Sequence, residues 1–117
     1  MRVHSQLGPG LLEGVYSACL TYALKSSKSN VKTQVPIAIR FDGNSIEAGL
    51  RLDLLVEERV IVEVKAVERL VPLHAAQLLS YLRLSDLQVG LLLNFNVQHM
   101  RQGIKRVVNR FEPDAER

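Results

Sequence analysis

Two neighbouring segments with the residue pattern of β-strands constrain this chain more than any other feature. Residues 50–57 and 60–66 are rich in valine, leucine and isoleucine, and their closeness in sequence predicts a hairpin. Charged residues interrupt both segments, with Asp53 in the first and Glu63 and Lys65 in the second. Carboxylates on a half-buried strand are costly unless a cation or several donors meet them. The hairpin is therefore the first candidate for a functional site.

The length of the hairpin loop decides whether the two acids meet. A two-residue turn would send Asp53 and Glu63 to opposite faces of the sheet, because side chains alternate along a strand. A three-residue loop at 57–59 instead pairs Val56 with Val60 and sets Asp53 directly opposite Glu63. A site shared by the two acids thus requires this loop or a β-bulge.

In that register the residue types suit the hydrolysis of a phosphodiester. Asp53 and Glu63 offer the hard oxygen ligands that Mg²⁺ or Mn²⁺ prefers. Such an ion lowers the pKa of a bound water and neutralises charge on phosphate oxygens. Lys65 would orient or deprotonate the attacking water, or stabilise the anionic transition state. The spacing alone is equally compatible with a ladder of cross-strand ion pairs on a solvated sheet face.

The first predicted helix, at residues 11–27, places another acid near an apolar surface. Glu13 falls within a helical stripe of apolar side chains. That stripe consists of Leu12, Tyr16, Cys19, Leu20, Ala23 and Leu24. In one interpretation Glu13 reaches the metal site or its lysine. In the other it lies at the edge of the stripe, where an acid in the first turn favours the helix dipole.

A second helix, predicted at residues 73–84 after Pro72, carries polar side chains on one narrow face. His74, Gln77 and Tyr81 fall at helical spacing on that face, whereas apolar residues cover another. Either the three side chains line the site, or they form an exposed helix face with a half-buried tyrosine.

The remaining segments complete the order α-β-β-β-α-β-α, an α/β fold in which helices flank one mixed central sheet. At 117 residues we expect a single domain spanning 1–117. Pro36 indicates that its strand is an edge strand or contains a bulge. The remaining elements are strands at 32–41 and from Ser45 after a turn at 42–44, a largely apolar strand at 89–95 and a last helix at 98–111.

Composition excludes several classes of protein. The single cysteine, Cys19, excludes an intramolecular disulfide and a zinc knuckle, and suits a cytoplasmic location. No stretch approaches the roughly 18–20 apolar residues needed to span a bilayer. The net charge of +3 is compatible with a polyanionic partner without requiring one. Aromatic residues make up only 5% of the chain, so sequence-specific base readout is not expected. The basic residues of the last predicted helix, Arg101, Lys105, Arg106 and Arg110, spread around it.

The segment 10–16 resembles the G-x-x-E-x-x-Y signature of the GxxExxY proteins, a branch of the PD-(D/E)XK nuclease superfamily. The resemblance continues through residues 34–36, 51–56, 60–66, 74–82, 93–96 and 103–106. It implies a restriction-endonuclease-like fold, with Lys65 as the catalytic lysine and with Asp53, Glu63 and the helix-borne Glu13 as catalytic and metal-binding acids. Gln77 and Tyr81 match the Q-x-x-x-Y element that RecB-like members place beside DNA, and His74 would also contact substrate.

The combined expectation is Mg²⁺- or Mn²⁺-dependent hydrolysis of DNA with low sequence specificity. Two alternatives remain open: a non-catalytic nucleic-acid-binding or assembly module that retains the site, and an interaction or stability protein whose acids make internal ion pairs. GxxExxY proteins usually begin with a longer N-terminal helix, and here only residues 1–6 precede Leu7. We therefore expect apolar sheet surface that a second copy covers, and so a homodimer.

Overall fold

A five-stranded mixed sheet, in the order β1-β2-β3-β4-β5, forms the centre of the computed structural model, which describes residues 1–110. Strands β3 and β4 are parallel and α3 forms the crossover between them, whereas all other neighbours are antiparallel. The α/β class, with helices flanking a mixed sheet, is confirmed. The elements are α1 (Arg2–Leu7), α2 (Glu13–Ser26), β1 (Val31–Phe41), β2 (Asn44–Val56), β3 (Val60–Lys65), α3 (Pro72–Ser85), β4 (Val89–Asn94), a 3₁₀ turn (Met100–Gln102) and β5 (Ile104–Val108).

Helices cover both faces of the sheet and divide the core into two apolar clusters. Val62 and Val64 pack with α2 on one face, and Ile61 packs with α3 on the other, as the alternation of β3 predicts. Tyr16 and Leu20 are the buried residues of α2, whereas Leu12 lies outside the helix and is 80% exposed, so its predicted place in the apolar stripe is wrong. Residues of α3 contact β4 closely: a Cβ at Gly90 would lie 2.9 Å from the Leu78 side chain.

The β2–β3 hairpin has the register that a shared site requires. Val56 pairs with Val60, so Glu57, Glu58 and Arg59 form a three-residue loop. The φ angles of Glu57 and Glu58 are 55° and 56°, and the Arg59 N–H donates to the Val56 carbonyl over 3.0 Å. Two consecutive residues with positive φ give a turn whose twist matches that of the flanking strands. The predicted three-residue loop is thus confirmed.

The predicted helix at 98–111 is wrong over the part that the structure describes. A short 3₁₀ turn is followed by β5, which pairs antiparallel with β4. Without β5, the outer edge of β4 would leave a row of backbone donors and acceptors unpaired, and this tertiary requirement overrides the local helical pattern. The β-branched residues Ile104, Val107 and Val108 suit the strand. Position 111 lies outside the described residues.

The ends of the sheet and the first residues show smaller differences. Pro36 lies on the edge strand β1, and the β1–β2 register shifts between Ile37 and Ile39, as predicted. Residues 2–7 form α1, whose Val3 and His4 are buried, so the N-terminal segment itself covers apolar surface. The homodimer stays a prediction. Within residues 1–110, none of the helices has the length and apolar character needed to cross a membrane.

Candidate active site

The acids of the hairpin lie where the β2–β3 ladder ends. Regular pairing stops at Leu54 and Val62. Beyond this point the Asp53 N–H donates to Glu63 Oε2 over 3.0 Å, and the Val64 N–H donates to Asp53 Oδ2 over 2.9 Å. Each carboxylate therefore accepts a backbone N–H from the opposite strand. These two hydrogen bonds partly offset the cost of burying the charges.

An irregularity of β2 at Asp53 orients this acid. Leu54 belongs to the core cluster beneath α2 and Leu52 to the cluster beneath α3, so the normal alternation breaks between them. The residue of β1 at this level is Gln34, whose φ of 52° interrupts the extended conformation, while its two neighbours pair with Leu54 and Leu52. A bulge of this kind re-aims a side chain, which lets Asp53 lie between β3 and α2.

Glu63 is the most perturbed acid of the site. Its side chain is only 4% exposed, and burial raises its pKa to about 7. The hydrogen bond from Asp53 N–H and the charge of Lys65 act in the opposite direction, whereas the charges of Asp53 and Glu13 raise the pKa further. Desolvation combined with neighbouring like charge is typical of functional sites.

Asp53 and Glu13 are shifted in the same direction. Burial raises the pKa of Asp53, although the Val64 N–H and the charge of Lys65 lower it. Burial and then the charge of Asp53 raise the pKa of Glu13, against the lowering effect of Lys65. The three acids and the lysine therefore form one electrostatic cluster.

Glu13 is presented by a turn that Tyr16 holds in place. The Tyr16 hydroxyl donates to the Gly8 carbonyl over 2.6 Å and accepts the Leu11 N–H over 3.0 Å, and its ring stacks on Phe95 at 4.7 Å. Glu13 is the first residue of α2 and is exposed. Glu13 is therefore a first-turn acid that also interacts electrostatically with Asp53 and Lys65, and its place in a metal site stays a prediction.

The polar face of α3 divides into residues with different surroundings. Tyr81 is 8% exposed, and the pKa of its hydroxyl is raised by burial and by the charges of Glu63 and Asp53, which places it beside the acids. His74 lies at the start of α3, where its Nδ1 accepts the Val71 N–H over 3.0 Å. Gln77 is exposed, one turn before Tyr81. The structure thus brings Tyr81 to the acids and gives His74 a capping contact.

Comparison with known protein families decides the relationship of the chain. The model of the PD-(D/E)XK nuclease superfamily matches residues 1–107. The chain belongs to this superfamily. Its five-stranded mixed sheet with flanking helices is consistent with a restriction-endonuclease-like fold. Comparison with curated proteins gives no significant match, and comparison with solved structures gives none either.

Membership indicates a nuclease-like function, with nucleic acid as the class of substrate. PD-(D/E)XK nucleases generally use divalent metal ions. Within residues 1–110, no group of three His, Cys, Asp or Glu side chains is arranged to hold a metal ion. The donor types nevertheless suit one, because Asp53, Glu63 and Glu13 are carboxylates that interact electrostatically with one another. The hydrogen bonds between Asp53 and β3 use one oxygen of each hairpin acid, so the other oxygen of each is not committed to them.

Two asparagines that sequence reasoning missed tie together the loops beside these acids. Asn94 is 1% exposed; its Oδ1 accepts the Val67 N–H over 3.0 Å and its Nδ2 donates to the Val67 carbonyl over 2.9 Å. Asn96 Oδ1 accepts the Gly10 N–H over 3.1 Å. These contacts fix the loop that follows Lys65 and the turn that precedes Glu13. A polar residue ending an otherwise apolar strand was the available signal.

A groove between α2 and β1 opens beside Asp53. Its volume is about 500 Å³, and Glu13 and Asp53 are among its lining residues. The other lining residues are small or neutral and polar, namely Gly14, Ser17, Ala18, Thr21, Thr33 and Gln34. The groove gives a substrate access to the acids from the α2 side of the sheet.

Proposed function

We propose that this PD-(D/E)XK chain, a member of the GxxExxY branch, hydrolyses phosphodiester bonds of DNA in a Mg²⁺- or Mn²⁺-dependent reaction with little sequence preference. The observation that carries the proposal is the meeting of Asp53 and Glu63 at the open end of the β2–β3 ladder, with Glu13 and Lys65 in electrostatic contact. An ion-pair ladder would lower the pKa values of its acids, whereas here all three are raised.

The three acids are suited to sharing a divalent cation. Burial raises the pKa of all three, so their charged forms are costly at this point, and a doubly charged cation beside them would stabilise those forms. Asp53, Glu63 and Glu13 would hold the ion, which supplies a water of lowered pKa and neutralises charge on the phosphate.

The other side chains act on the substrate and on the water. Lys65 orients the attacking water and stabilises negative charge that develops on the phosphate oxygens. Tyr81, whose hydroxyl lies near Glu63, positions the substrate, and Gln77 and His74 contact it along the same helix. The scarcity of aromatic residues, 5% of the chain, supports low sequence preference because few platforms for base stacking exist.

The test is cleavage of labelled single- and double-stranded DNA by wild type and by Lys65→Ala, with Mg²⁺, with Mn²⁺ and with chelator. We expect cleavage only with a metal ion, and a loss of about 10²–10⁴-fold in Lys65→Ala. The control is Lys32→Ala, because Lys32 is an exposed lysine at the opposite end of the sheet that pairs with Glu58. It should cleave like wild type, and thermal unfolding would verify that both variants are folded.

Other outcomes separate the alternatives. Salt-dependent DNA binding without cleavage by wild type would contradict catalysis and favour a nucleic-acid-binding module. Absence of binding to both DNA and RNA would favour an interaction or stability protein. Equal cleavage by wild type and Lys65→Ala would show that Lys65 takes no part in the reaction.

A further inference from the structure

A second groove lies on the other side of the turn that presents Glu13. Its volume is about 640 Å³, and its walls are α1 with the Gly8–Pro9 turn on one side and the segment 98–101 on the other. The first groove is lined by two acids and by no basic residue, whereas this one contains Arg101, His99 and Gln98, all exposed. The two grooves therefore differ in the charge that they offer to a polyanion.

Short chain segments link the second groove to the acids. The Gly10 N–H donates to Asn96, which follows β4, and β4 pairs with β3 through Asn94 and Lys65. Pro9 lies four positions before Glu13, and Gln98 lies four positions after Asn94. A four-residue segment spans at most about 14 Å, even when fully extended. A nucleic-acid strand held at Asp53 and Lys65 can therefore reach the groove within a few nucleotides.

The wall that carries Arg101 is held in place. The ring of His4, 7% exposed, makes a hydrogen bond of 2.6 Å between Nε2 and the Val97 carbonyl and lies 6.5 Å from the ring of Phe95. Met100, next to Arg101, is 6% exposed and packs in the core. Arg101 thus follows a backbone segment that is anchored to the core, so little ordering of the backbone accompanies binding of a ligand.

We propose that this groove binds a phosphate of the polynucleotide that flanks the scissile phosphate, with Arg101 as its main contact. The guanidinium presents a planar fork of donors that matches phosphate oxygens, and Gln98 and His99 add polar groups at the same wall. The charge of the site supports the assignment, because three acids at the cleavage point repel a polyanion and the charge of Lys65 offsets only part of this repulsion. The proposal rests on the proposed nuclease function and names a contact that holds the substrate.

The test measures the salt dependence of binding by fluorescence anisotropy, with labelled single- and double-stranded oligonucleotides and with Ca²⁺ in place of Mg²⁺. In Arg101→Gln we expect the slope of log K against log salt to fall by about 0.7 on single strands and 0.9 on duplex, the loss of one phosphate contact. Arg101→Lys should retain most of the slope because it keeps the charge. The matched control is Arg83→Gln, since Arg83 is exposed on α3 at the other face of the sheet.

Kinetics add a readout that a purely structural role would not change. A flanking contact is made equally in ground and transition states, so Arg101→Gln should raise KM with kcat nearly unchanged. Equal slopes and affinities for Arg101→Gln and Arg83→Gln would overturn the proposal, as would failure of wild type to bind either oligonucleotide. If wild type binds without cleaving and Arg101→Gln still reduces the slope, catalysis fails and the phosphate groove stands.

Discussion

The two ends of the β2–β3 pair are held together by different kinds of interaction. At the loop end, backbone hydrogen bonds and apolar side chains hold the strands, with Val56 paired to Val60 and Ile61 fully buried. At the other end, the side chains of Asp53 and Glu63 accept the cross-strand N–H groups. One end contributes stability, whereas the other carries buried charge that destabilises the fold above neutral pH.

The difference between the two ends shows how a small sheet tolerates a cluster of acids. Each fully buried Leu, Ile or Val contributes about 1.5–3 kcal/mol, and the two apolar clusters contain many of them. This stability offsets the desolvation of Glu63, whose raised pKa measures the cost. The acids are therefore held in a charged, reactive arrangement by the apolar end of the same strands.

Replacing Glu63 by Gln should have the largest effect on stability. The folded-state pKa of about 7 lies above the ordinary glutamate value of 4.5, so the native state binds the proton more tightly. The stabilisation is complete below about pH 4.5 and is lost as pH rises through about 7. A shift of this size corresponds to about 3 kcal/mol. Denaturant unfolding from pH 4.5 to 8 should show this fall in wild type, and Glu63→Gln should remove most of it.

The raised pKa values of Asp53 and Glu13 change stability in the same direction, so a residual slope should remain in that variant. Glu58→Gln, at the loop end, is the matched control because it removes an exposed carboxylate from the same strand pair. A profile in Glu63→Gln as steep as that of wild type would show that burial of this acid is not the cause.

Divalent metal ions should offset part of the free energy that burying the acids costs. At pH 8, Mg²⁺ or Mn²⁺ at 100 times its Kd stabilises a single-site protein by about 2.7 kcal/mol. We expect the thermal midpoint of wild type to rise with metal concentration and that of Asp53→Asn to rise much less. Lys32→Ala serves as the control, since it changes charge at the distant end. Identical metal-dependent rises in wild type and Asp53→Asn would place the ion elsewhere.

A glycine in the loop should have the smallest effect. Glu58 has a φ of 56°, a conformation that costs a non-glycine residue about 1 kcal/mol, and its ion pair with Lys32 is exposed. Glu58→Gly should therefore raise the free energy of unfolding by less than about 1 kcal/mol and leave DNA cleavage unchanged. Denaturant unfolding and the cleavage assay measure both. A loss of cleavage would mean that a change at the loop end of the β2–β3 pair alters the acids at the other end.

From the sequence, the three-residue loop follows only if the two acids share a site, because a two-residue turn would send them to opposite faces. The pairing of Val56 with Val60 confirms it. The helices that follow Gly10 and Pro72 are predictable for local reasons, since strong start signals agree with the apolar periodicity. The roles assigned to the acids, to Lys65 and to Gln77 and His74 stay predictions.

The features that the sequence does not predict depend on contacts between segments that are distant along the chain. Strand β5 forms because the edge of β4 is open for pairing. The local sequence of residues 98–110 carries no information about that edge. The turn at Gly8–Leu11 is fixed by the Tyr16 hydroxyl and by Asn96, a residue 86 positions after Gly10. The irregularity at Asp53 arises jointly with Gln34 on another strand. Such features follow from the assembled sheet rather than from spacing along the chain.

The two amides that donate to the carboxylates have a practical consequence. The Asp53 and Val64 N–H protons point directly at Glu63 and Asp53, so their NMR chemical shifts follow the ionisation of those acids. A pH titration of backbone amide resonances in isotope-labelled protein would therefore resolve the two acids separately. The same two resonances would respond to a divalent cation, which gives the protein an internal, residue-specific indicator of site occupancy.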